Sequence, residues 1–365
     1  MQSLIFKIAA SLIPGIGDVG AKKLIAYCGG AEAIFREKRA NLVKIPGIGE
    51  IGAQKILKSN AIKLAEEELF RIEQHQIDVH YFLDESYPQR LLHCDDGPII
   101  LYTKGKVDLN AKRMLSIVGT RKATVKGKAF CERLVEDLKP FDPVILSGLA
   151  YGIDITAHKS AIKHNLKTMA VLASGLDNVY PKTHEKYANE MLEYGGLISD
   201  YTCNSTMVPA NFAERNRIIA GMSDVLVVVE SSAKGGSLIS ADLANGYNRD
   251  VFAVPGRPDD SQSVGCNRLI KTNKAALIES AKDIQYILGW ELNEKLNTNQ
   301  RQLFVELDEV EEKLLASFGE AQIVAIDELS LNAKMPMSQT TGILLNLEFK
   351  GLIRSLPGKM FERLD

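Results

Sequence analysis

The chain has 365 residues, of which 45% are hydrophobic and 25% are charged. These proportions are typical of globular proteins, and the length favours two or three domains, so a disordered chain, a collagen-like repeat and a coiled-coil rod are excluded. The formal net charge of −2 conceals an asymmetry, because residues 1–65 are rich in Lys and Arg whereas residues 291–328 are rich in Asp and Glu.

Neither a membrane span nor a secretion signal is predicted. No segment reaches the roughly 18 unbroken apolar residues of a transmembrane helix, and the apolar start, Leu4 to Ile13, is interrupted by Lys7. The five cysteines lie far apart without a C-x-x-C pair, which argues against a zinc site, a redox motif and a disulfide framework. We therefore expect a cytoplasmic protein that does not contact a membrane.

The first third contains an internal repeat. The segment from Ile13 to Ala21, which begins I-P-G-I-G, recurs from Ile45 to Ala53 between segments with helical spacing. This pattern resembles a tandem helix-hairpin-helix, a family whose hairpin amides bind nucleic-acid phosphates irrespective of base sequence. We assign this module to residues 1–75, and a compact helical adaptor that keeps the hairpins only for packing remains the alternative. Its hairpin glycines are predicted as additional phosphate contacts: Gly15, Gly17, Gly47 and Gly49.

The central part, residues 76–292, alternates short apolar runs with helical patterns. This alternation predicts an α/β fold with a mostly parallel, Rossmann-like sheet that helices cover on both faces. A ligand site is then expected at the carboxyl ends of the strands. The predicted strands are Met114–Val118, Val144–Leu146, Thr168–Ala173, Leu197–Ser199, Val225–Val229, Val251–Val254 and Ala276–Ile278.

Small and basic residues follow several of these strands, where backbone amides and hydroxyls form anion-binding nests. No G-x-G-x-x-G follows the first strand, no P-loop motif occurs, and the histidines lack metal-ligand spacing. We therefore expect phosphate binding without a dinucleotide cofactor, ATP hydrolysis, a metal or a catalytic residue. The predicted phosphate-binding residues are Gly119, Thr120, Arg121, Lys122, Ser147, Gly148, Lys234, Gly235, Gly236 and Ser237.

The segment from Asn211 to Gly221 combines an aromatic residue with two basic ones. Phe212 precedes Arg215-Asn216-Arg217, so one helix start offers phosphate contacts and a stacking surface for an unpaired base. That combination suits single-stranded DNA. In the alternative interpretation, Phe212 anchors the helix in the core and Arg215 or Arg217 pairs internally with Asp200 or Asp224.

A series of motifs in the same order closely resembles the signature of the DNA-processing protein A family (DprA, also called Smf), over roughly Asp78 to Leu288. The motifs include Tyr87–Leu91, Asp96–Gly105, Val118–Arg121, Ser147–Asp154, Leu176–Pro181, Arg215–Ile219, Gly236–Leu238 and Val254–Arg257. The resemblance implies a dimeric, non-enzymatic single-stranded-DNA-binding protein of the bacterial cytoplasm with an extended Rossmann-like domain. It further implies that the protein protects incoming strands during natural transformation and loads the RecA recombinase.

The resemblance also implies roles for individual residues. By motif, Arg121 is the main phosphate clamp, and Phe212 meets a base. The phosphate track is extended by Arg215, Asn216, Arg217 and Lys234. The family usually has Phe-Pro before the R-N-R element, whereas Ala213 follows Phe212 in this chain. That departure leaves the helix start and the stacking role open.

Residues 303–365 show three helical patterns and a final hairpin, which resemble the winged helix that many DprA proteins carry at the C-terminus. A winged helix usually binds duplex DNA, but the recognition-helix segment from Ser338 to Leu345 contains no Lys or Arg. We favour partner docking or dimerisation over groove binding.

Two other functions are compatible with parts of the sequence. A Rossmann-like nucleotide-metabolising enzyme of the phosphoribohydrolase type also holds phosphate with a Gly-Gly loop. It needs a glutamate soon after that loop, whereas Asp242 is the first carboxylate after Ser237. A protein-interaction adaptor without DNA affinity is the other alternative.

Overall fold

The computed structural model describes residues 2–290, 307–319, 321–350, 352–356 and 359–364. The chain divides into two compact units, Met1–Leu292 and Asn293–Asp365. Within the described ranges, no helix is both long and apolar enough to cross a lipid bilayer. The start of the predicted winged-helix domain, residues 303–306, lies outside the described residues.

The first unit begins with a helical module. The predicted hairpins join helices in both copies of the repeat, and the hairpin residues Gly15 and Gly47 have positive φ angles of 72° and 88°. The helices pack around buried residues such as Ile8 and Ile56, and this core continues onto the first strands of the sheet. The boundary at residue 75 stays a prediction. The helices are α1 (Gln2–Ser11), α2 (Asp18–Cys28), α3 (Ala31–Arg36), α4 (Arg39–Leu42), α5 (Gly49–Lys58) and α6 (Ala61–His75).

The rest of this unit is built on a mostly parallel sheet, as the sequence predicts. Among the described residues, nine strands follow the order β1-β2-β6-β5-β4-β3-β7-β8-β9. The strands from β6 to β9 in this order are parallel, whereas β1 and β2 form an antiparallel edge that the sequence analysis did not predict. The strands are β1 (Asp78–Tyr81), β2 (Ile100–Gly105), β3 (Met114–Val118), β4 (Val144–Ser147), β5 (Thr168–Val171), β6 (Gly196–Ser199), β7 (Val225–Val228), β8 (Asp250–Ala253) and β9 (Ala276–Leu277).

Helices cover both faces of this sheet and bury its apolar strands. Leu134, Ala157 and Ile284 lie in the core of one face, and Ile218 and Ala241 lie in the core of the other. The helices are α7 (Gln89–Leu92), α8 (Val125–Asp137), α9 (Ile153–Lys163), α10 (Glu185–Met191), α11 (Pro209–Met222), α12 (Gly236–Gly246), α13 (Val264–Lys271) and α14 (Ala281–Leu288).

The direction of winding reverses between β3 and β7. From β3 the chain adds β4, β5 and β6 on one side, and from β7 it adds β8 and β9 on the other. In open α/β sheets, such a switch point leaves a crevice at the carboxyl ends of the two central strands, where ligands bind.

The second unit is a small α+β fold with its own core, which includes Leu314, Leu329 and Leu347. Its described strands form a three-stranded antiparallel sheet in the order β10-β12-β11. Helices followed by a terminal hairpin agree with the predicted winged helix. The elements are α15 (Glu309–Ala316), β10 (Ile323–Ala325), α16 (Ile326–Ala333), α17 (Met337–Phe349), β11 (Ile353–Leu356) and β12 (Met360–Arg363).

Candidate nucleic-acid interface

A pocket of about 310 Å³ opens at the switch point. It is bounded by the loop after β3, the first turns of α11 and the Gly-Gly loop before α12. The structure thus brings together most of the residues that the sequence predicts for phosphate binding, although they come from three distant segments. The predicted residues that line it are Gly119, Thr120, Arg121, Phe212, Arg215, Asn216, Gly235, Gly236 and Ser237.

The loop that carries Arg121 is held firmly by its neighbours. The backbone N–H of Thr120 donates to the carbonyl of Glu230 (2.8 Å), and Thr120 accepts a backbone hydrogen bond from Ile153 (3.3 Å). Gly152 has a φ of 81°, and any side chain there would collide with the carbonyl of Thr120. The close approach of these two loops therefore requires glycine and fixes the start of the Arg121 side chain.

Arg121 and two aromatic rings form a stack at the pocket. The guanidinium carbon of Arg121 lies 5.0 Å from the centroid of the Phe212 ring, within cation–π range. The ring of Tyr180 packs edge-on against Phe212, with centroids 5.9 Å apart. Arg121 is exposed and has no ion pair with any described residue. The stack therefore offers a positive charge and aromatic surface side by side.

Tyr180 was not predicted as a site residue. In the sequence it stands within the Leu176–Pro181 motif, which precedes Phe212 by about 30 residues. An exposed tyrosine in a family motif is the available signal, since exposed aromatic residues in motifs often bind ligands.

The other side of the pocket is the start of α12. Gly235 is the residue before the helix, and the hydroxyl of Ser237 donates to the hydroxyl of Ser231 (2.9 Å). The first turn of a helix presents unpaired amides and a partial positive charge, which favour an anion. Lys234 is exposed beside this loop and does not line the pocket.

Arg215 reaches the pocket from beneath. Its side chain is 4% exposed, and its guanidinium donates to the carbonyls of Gly148 (2.9 Å) and Val171. Burial lowers the pKa of this guanidinium, whereas the nearby carboxyl of Asp154 opposes that shift. Arg215 therefore ties the ends of β4 and β5 together and places a positive charge under the pocket.

Arg217 points away from the pocket. Its guanidinium pairs with Asp200 (2.5 Å) and Asp18 (2.9 Å) and donates to the carbonyl of Asp96. Burial alone would lower its pKa, but these carboxyl groups raise it overall. The structure thus shows the internal pairing with Asp200 that the sequence left open. Asp224 pairs with Arg90 (2.6 Å) instead of either predicted arginine.

The remaining predicted residues of the central region do not line the pocket either. Ser147 and Gly148 are buried, and the Ser147 hydroxyl donates to the carbonyl of Ile117 (2.6 Å). Lys122 is exposed next to Arg121, outside the pocket. Ser147 and Gly148 therefore act in the scaffold under the site, and Lys122 belongs to the surface beside it.

Each hairpin of the helical module lies beside a lysine from the other copy of the repeat. Lys55 of the second copy lies against Gly15 of the first, and Lys23 of the first copy lies near Gly47 of the second. Lys23 and Lys55 occupy the same position in their repeats. Each exposed hairpin thus has an ammonium group beside it, which is a suitable arrangement for binding a phosphate.

The first hairpin also contacts the sheet domain. Asp18 follows it and accepts from the backbone N–H of Ile99 (2.9 Å), in addition to its ion pair with Arg217. The equivalent residue of the second repeat, Glu50, pairs with Arg39 (2.6 Å) on the surface. The two copies therefore share a hairpin but differ in what holds the following helix.

The fold and the pocket together define a Rossmann-like α/β protein with a basic site at its switch point. The sequence profile of the family described as DNA recombination-mediator protein A matches residues 78–289. The profile of the DprA winged helix domain matches residues 301–359. The chain belongs to this family of DprA and Smf proteins.

Individual relatives agree with this assignment. Protein Smf of Synechocystis is 31% identical over 329 residues, which cover 80% of this chain and 82% of the relative. The crystal structure of DprA from Streptococcus pneumoniae has a TM-score of 0.67 and 29% identity, covering 79% of this chain and 98% of that chain. A structure of Helicobacter pylori DprA, described for its single-stranded DNA binding mode, has a TM-score of 0.53 and 29% identity, covering 58% of this chain and 95% of that chain.

Proposed function

We propose that the protein binds single-stranded DNA in the switch-point pocket. The observation that carries the proposal is the stack of Arg121 on Phe212 opposite the start of α12. A backbone phosphate fits between the Arg121 guanidinium and the amides of α12, and an unpaired base packs on the aromatic surface of Phe212 and Tyr180. In a duplex the bases already stack on each other, so the aromatic surface selects single strands.

Fluorescence anisotropy with a labelled single strand and a labelled duplex, titrated across salt concentrations, tests this function. We expect tighter binding to the single strand, with a salt slope of about −0.7 for each phosphate contact. Equal affinity for both forms would contradict the proposal, as would binding that does not depend on salt.

The proposal extends to a cytoplasmic homodimer. The edge of the sheet at β9 and the neighbouring helix α14 carry exposed apolar side chains: Leu277 is 45%, Ile287 47% and Tyr286 88% exposed. Two such edges would bury one another, in keeping with the dimer that the family resemblance implies. Light scattering after size exclusion should give twice the chain mass for the wild type and the single-chain mass for Tyr286→Arg.

We further propose that the bound strand is protected and passed to the RecA recombinase during natural transformation. The proposal rests on the family of DNA recombination mediators to which the chain belongs. A dimer with two pockets holds one strand at two points, which raises the effective concentration of the second contact. A strand held in this way resists competitors while a recombinase filament starts beside it.

The alternative of a phosphoribohydrolase-like enzyme has less support. Asp242, the first carboxylate after the Gly-Gly loop, pairs with Lys274 (2.7 Å) and does not line the pocket. Asp154 is the only carboxylate among the described lining residues, and it accepts the backbone N–H of Gly148 (3.2 Å). The enzyme would be favoured if the protein released bases from nucleoside monophosphates and if Asp154→Asn or Asp242→Asn abolished this release.

A further inference from the structure

Arg121 lines a second cleft in addition to the pocket. This cleft has a volume of about 480 Å³ and lies between the loop after β3 and the helices α8 and α9. Its cationic lining side chains are Arg121, Lys122, Lys128 and Lys159, against the single carboxylate of Glu132. The cleft is therefore strongly positive, although the chain as a whole carries a slight negative charge.

The cationic side chains of the cleft form no ion pairs with carboxylates of the described residues. Lys122 and Lys128 are exposed and form no ion pair with any described residue. Lys159 lies 4.5 Å from the ring centroid of Tyr187 and likewise has no carboxylate partner in the described part of the chain. A concave surface with an excess of positive charge concentrates its electrostatic potential and attracts counterions such as phosphates.

The cleft is held in a fixed relation to the pocket. Both openings share the Arg121 loop, which the hydrogen bond between Ile153 and Thr120 joins to the start of α9. Tyr151, also in the cleft, packs edge-on against His184 (centroids 4.9 Å apart) and is 46% exposed. The surface on both sides of Arg121 therefore combines cations with an exposed aromatic ring.

We propose that a single strand bound in the pocket continues past Arg121 into this cleft. There, Lys122, Lys128 and Lys159 bind its backbone phosphates, and the ring of Tyr151 receives a base. This inference rests on the proposed binding of single-stranded DNA and extends the footprint of that site. Arg121 then contacts the strand where it passes from one opening to the other.

A double variant, Lys128→Gln with Lys159→Gln, tests the inference. The matched control is Lys126→Gln with Lys163→Gln, because these exposed lysines lie on the same two helices but outside the cleft. Binding is measured by anisotropy with single strands of about 3 and about 20 nucleotides, which lie below and above the usual site sizes of about 4–16 nucleotides.

For the long strand, we expect the double variant to flatten the salt slope by about 1.4, which corresponds to roughly 25-fold weaker binding at about 0.1 M salt. The short strand should occupy the pocket alone and bind the variant as it binds the wild type. The control should bind both strands normally.

Three outcomes would overturn the continuation into the cleft: unchanged binding of the long strand, an equal loss for both lengths, or an equal loss in the control. If the wild type itself does not prefer single strands, the proposed function fails first. The wild-type titration therefore separates the two failures. Melting temperatures of both variants should match the wild type, since all four side chains are exposed.

Discussion

The arginines of the pocket differ in what their side chains can do. Arg121 is exposed and lies on an aromatic ring, so its guanidinium remains available to a phosphate. Arg215 is buried and donates to backbone carbonyls, so it supports the strand ends from below. At the residue scale, Arg121 and Phe212 are therefore expected to dominate DNA binding, whereas changes at Arg215 affect folding as well.

Charge reversal at Arg121 should weaken single-strand binding without unfolding the protein. Arg121→Glu removes one phosphate contact and adds a repulsion, so the slope of log affinity against log salt should flatten by about 0.7. The control is Arg133→Glu, an exposed arginine on α8 outside both openings. Unchanged affinity and slope in the Arg121 variant would remove Arg121 from the site.

Truncation of Phe212 should cost binding energy but leave the salt slope unchanged. Phe212→Ala should lose about 1–3 kcal/mol of binding free energy if the ring stacks on a base. The salt slope should not change, because no phosphate contact is removed. Anisotropy at several salt concentrations gives both quantities. If the variant instead melts many degrees lower and binds normally per folded molecule, Phe212 is the core anchor of the alternative interpretation.

The directions of the two arginines on α11 show why the sequence could predict the site only in part. Arg215 and Arg217 are two residues apart, and such residues point about 200° apart around a helix. One therefore faces the pocket and the other faces Asp18, but the sequence alone does not say which. Tyr180 and Lys159 were missed because the fold brings them from distant segments to Phe212 and to the cleft beside Arg121, respectively.

Among the elements, the parallel strands from β3 to β8 were predictable because each is a mostly buried apolar run. The edge strand β1 was not, since it contains Asp78 and His80 and lacks such a run. The repeat likewise predicted the hairpins, in which Gly15 and Gly47 have positive φ angles. It could not show that each hairpin lies beside the lysine of the other copy, because that depends on how the copies pack.

The lysines beside the two hairpins, Lys23 and Lys55, allow a test of the hairpins as phosphate contacts. Lys23→Gln with Lys55→Gln should flatten the salt slope for a long single strand by about 1.4, since each hairpin loses its ammonium group. Lys63→Gln, at an exposed position on α6, serves as the control. Binding equal to that of the wild type would favour the compact adaptor, in which the hairpins only pack.

Helix α6 should make stability depend on pH. Glu68 is buried, and its carboxylate accepts the backbone N–H of Cys203 (2.8 Å). Burial raises its pKa above the usual 4.5, although the hydrogen bond from Cys203 and the charge of Arg71 oppose the shift. The protonated carboxyl is thus favoured in the fold, so its contribution is complete below pH 4.5 and is lost as the pH rises through the folded pKa.

Glu68→Gln removes this titration. Between pH 4.5 and about pH 7, the wild type should therefore lose more unfolding free energy than the variant does. Urea unfolding at the two pH values provides the measurement. The same pH dependence in both proteins would mean that Glu68 has no part in it.

At the scale of the whole molecule, DNA binding and transfer to RecA should be separable. The wild type should speed the start of RecA filaments on strands coated with single-strand-binding protein, and Arg121→Glu should not, because it no longer holds the strand. Recombinase ATPase on coated strands reports this. If the wild type binds strands but gives no acceleration with its cognate RecA, it protects strands without loading the recombinase.

We expect single-stranded DNA to lie in the pocket with a base on the aromatic stack. Photo-crosslinking of a single strand that carries 5-iododeoxyuridine, followed by mass spectrometry of the attached peptide, locates that base in the protein. We expect attachment at Phe212 or Tyr180, reduced by Arg121→Glu and absent with a duplex. The proposed binding site would be wrong if attachment were confined to the hairpins or to residues 307–364, or if it did not exceed the level seen with a duplex.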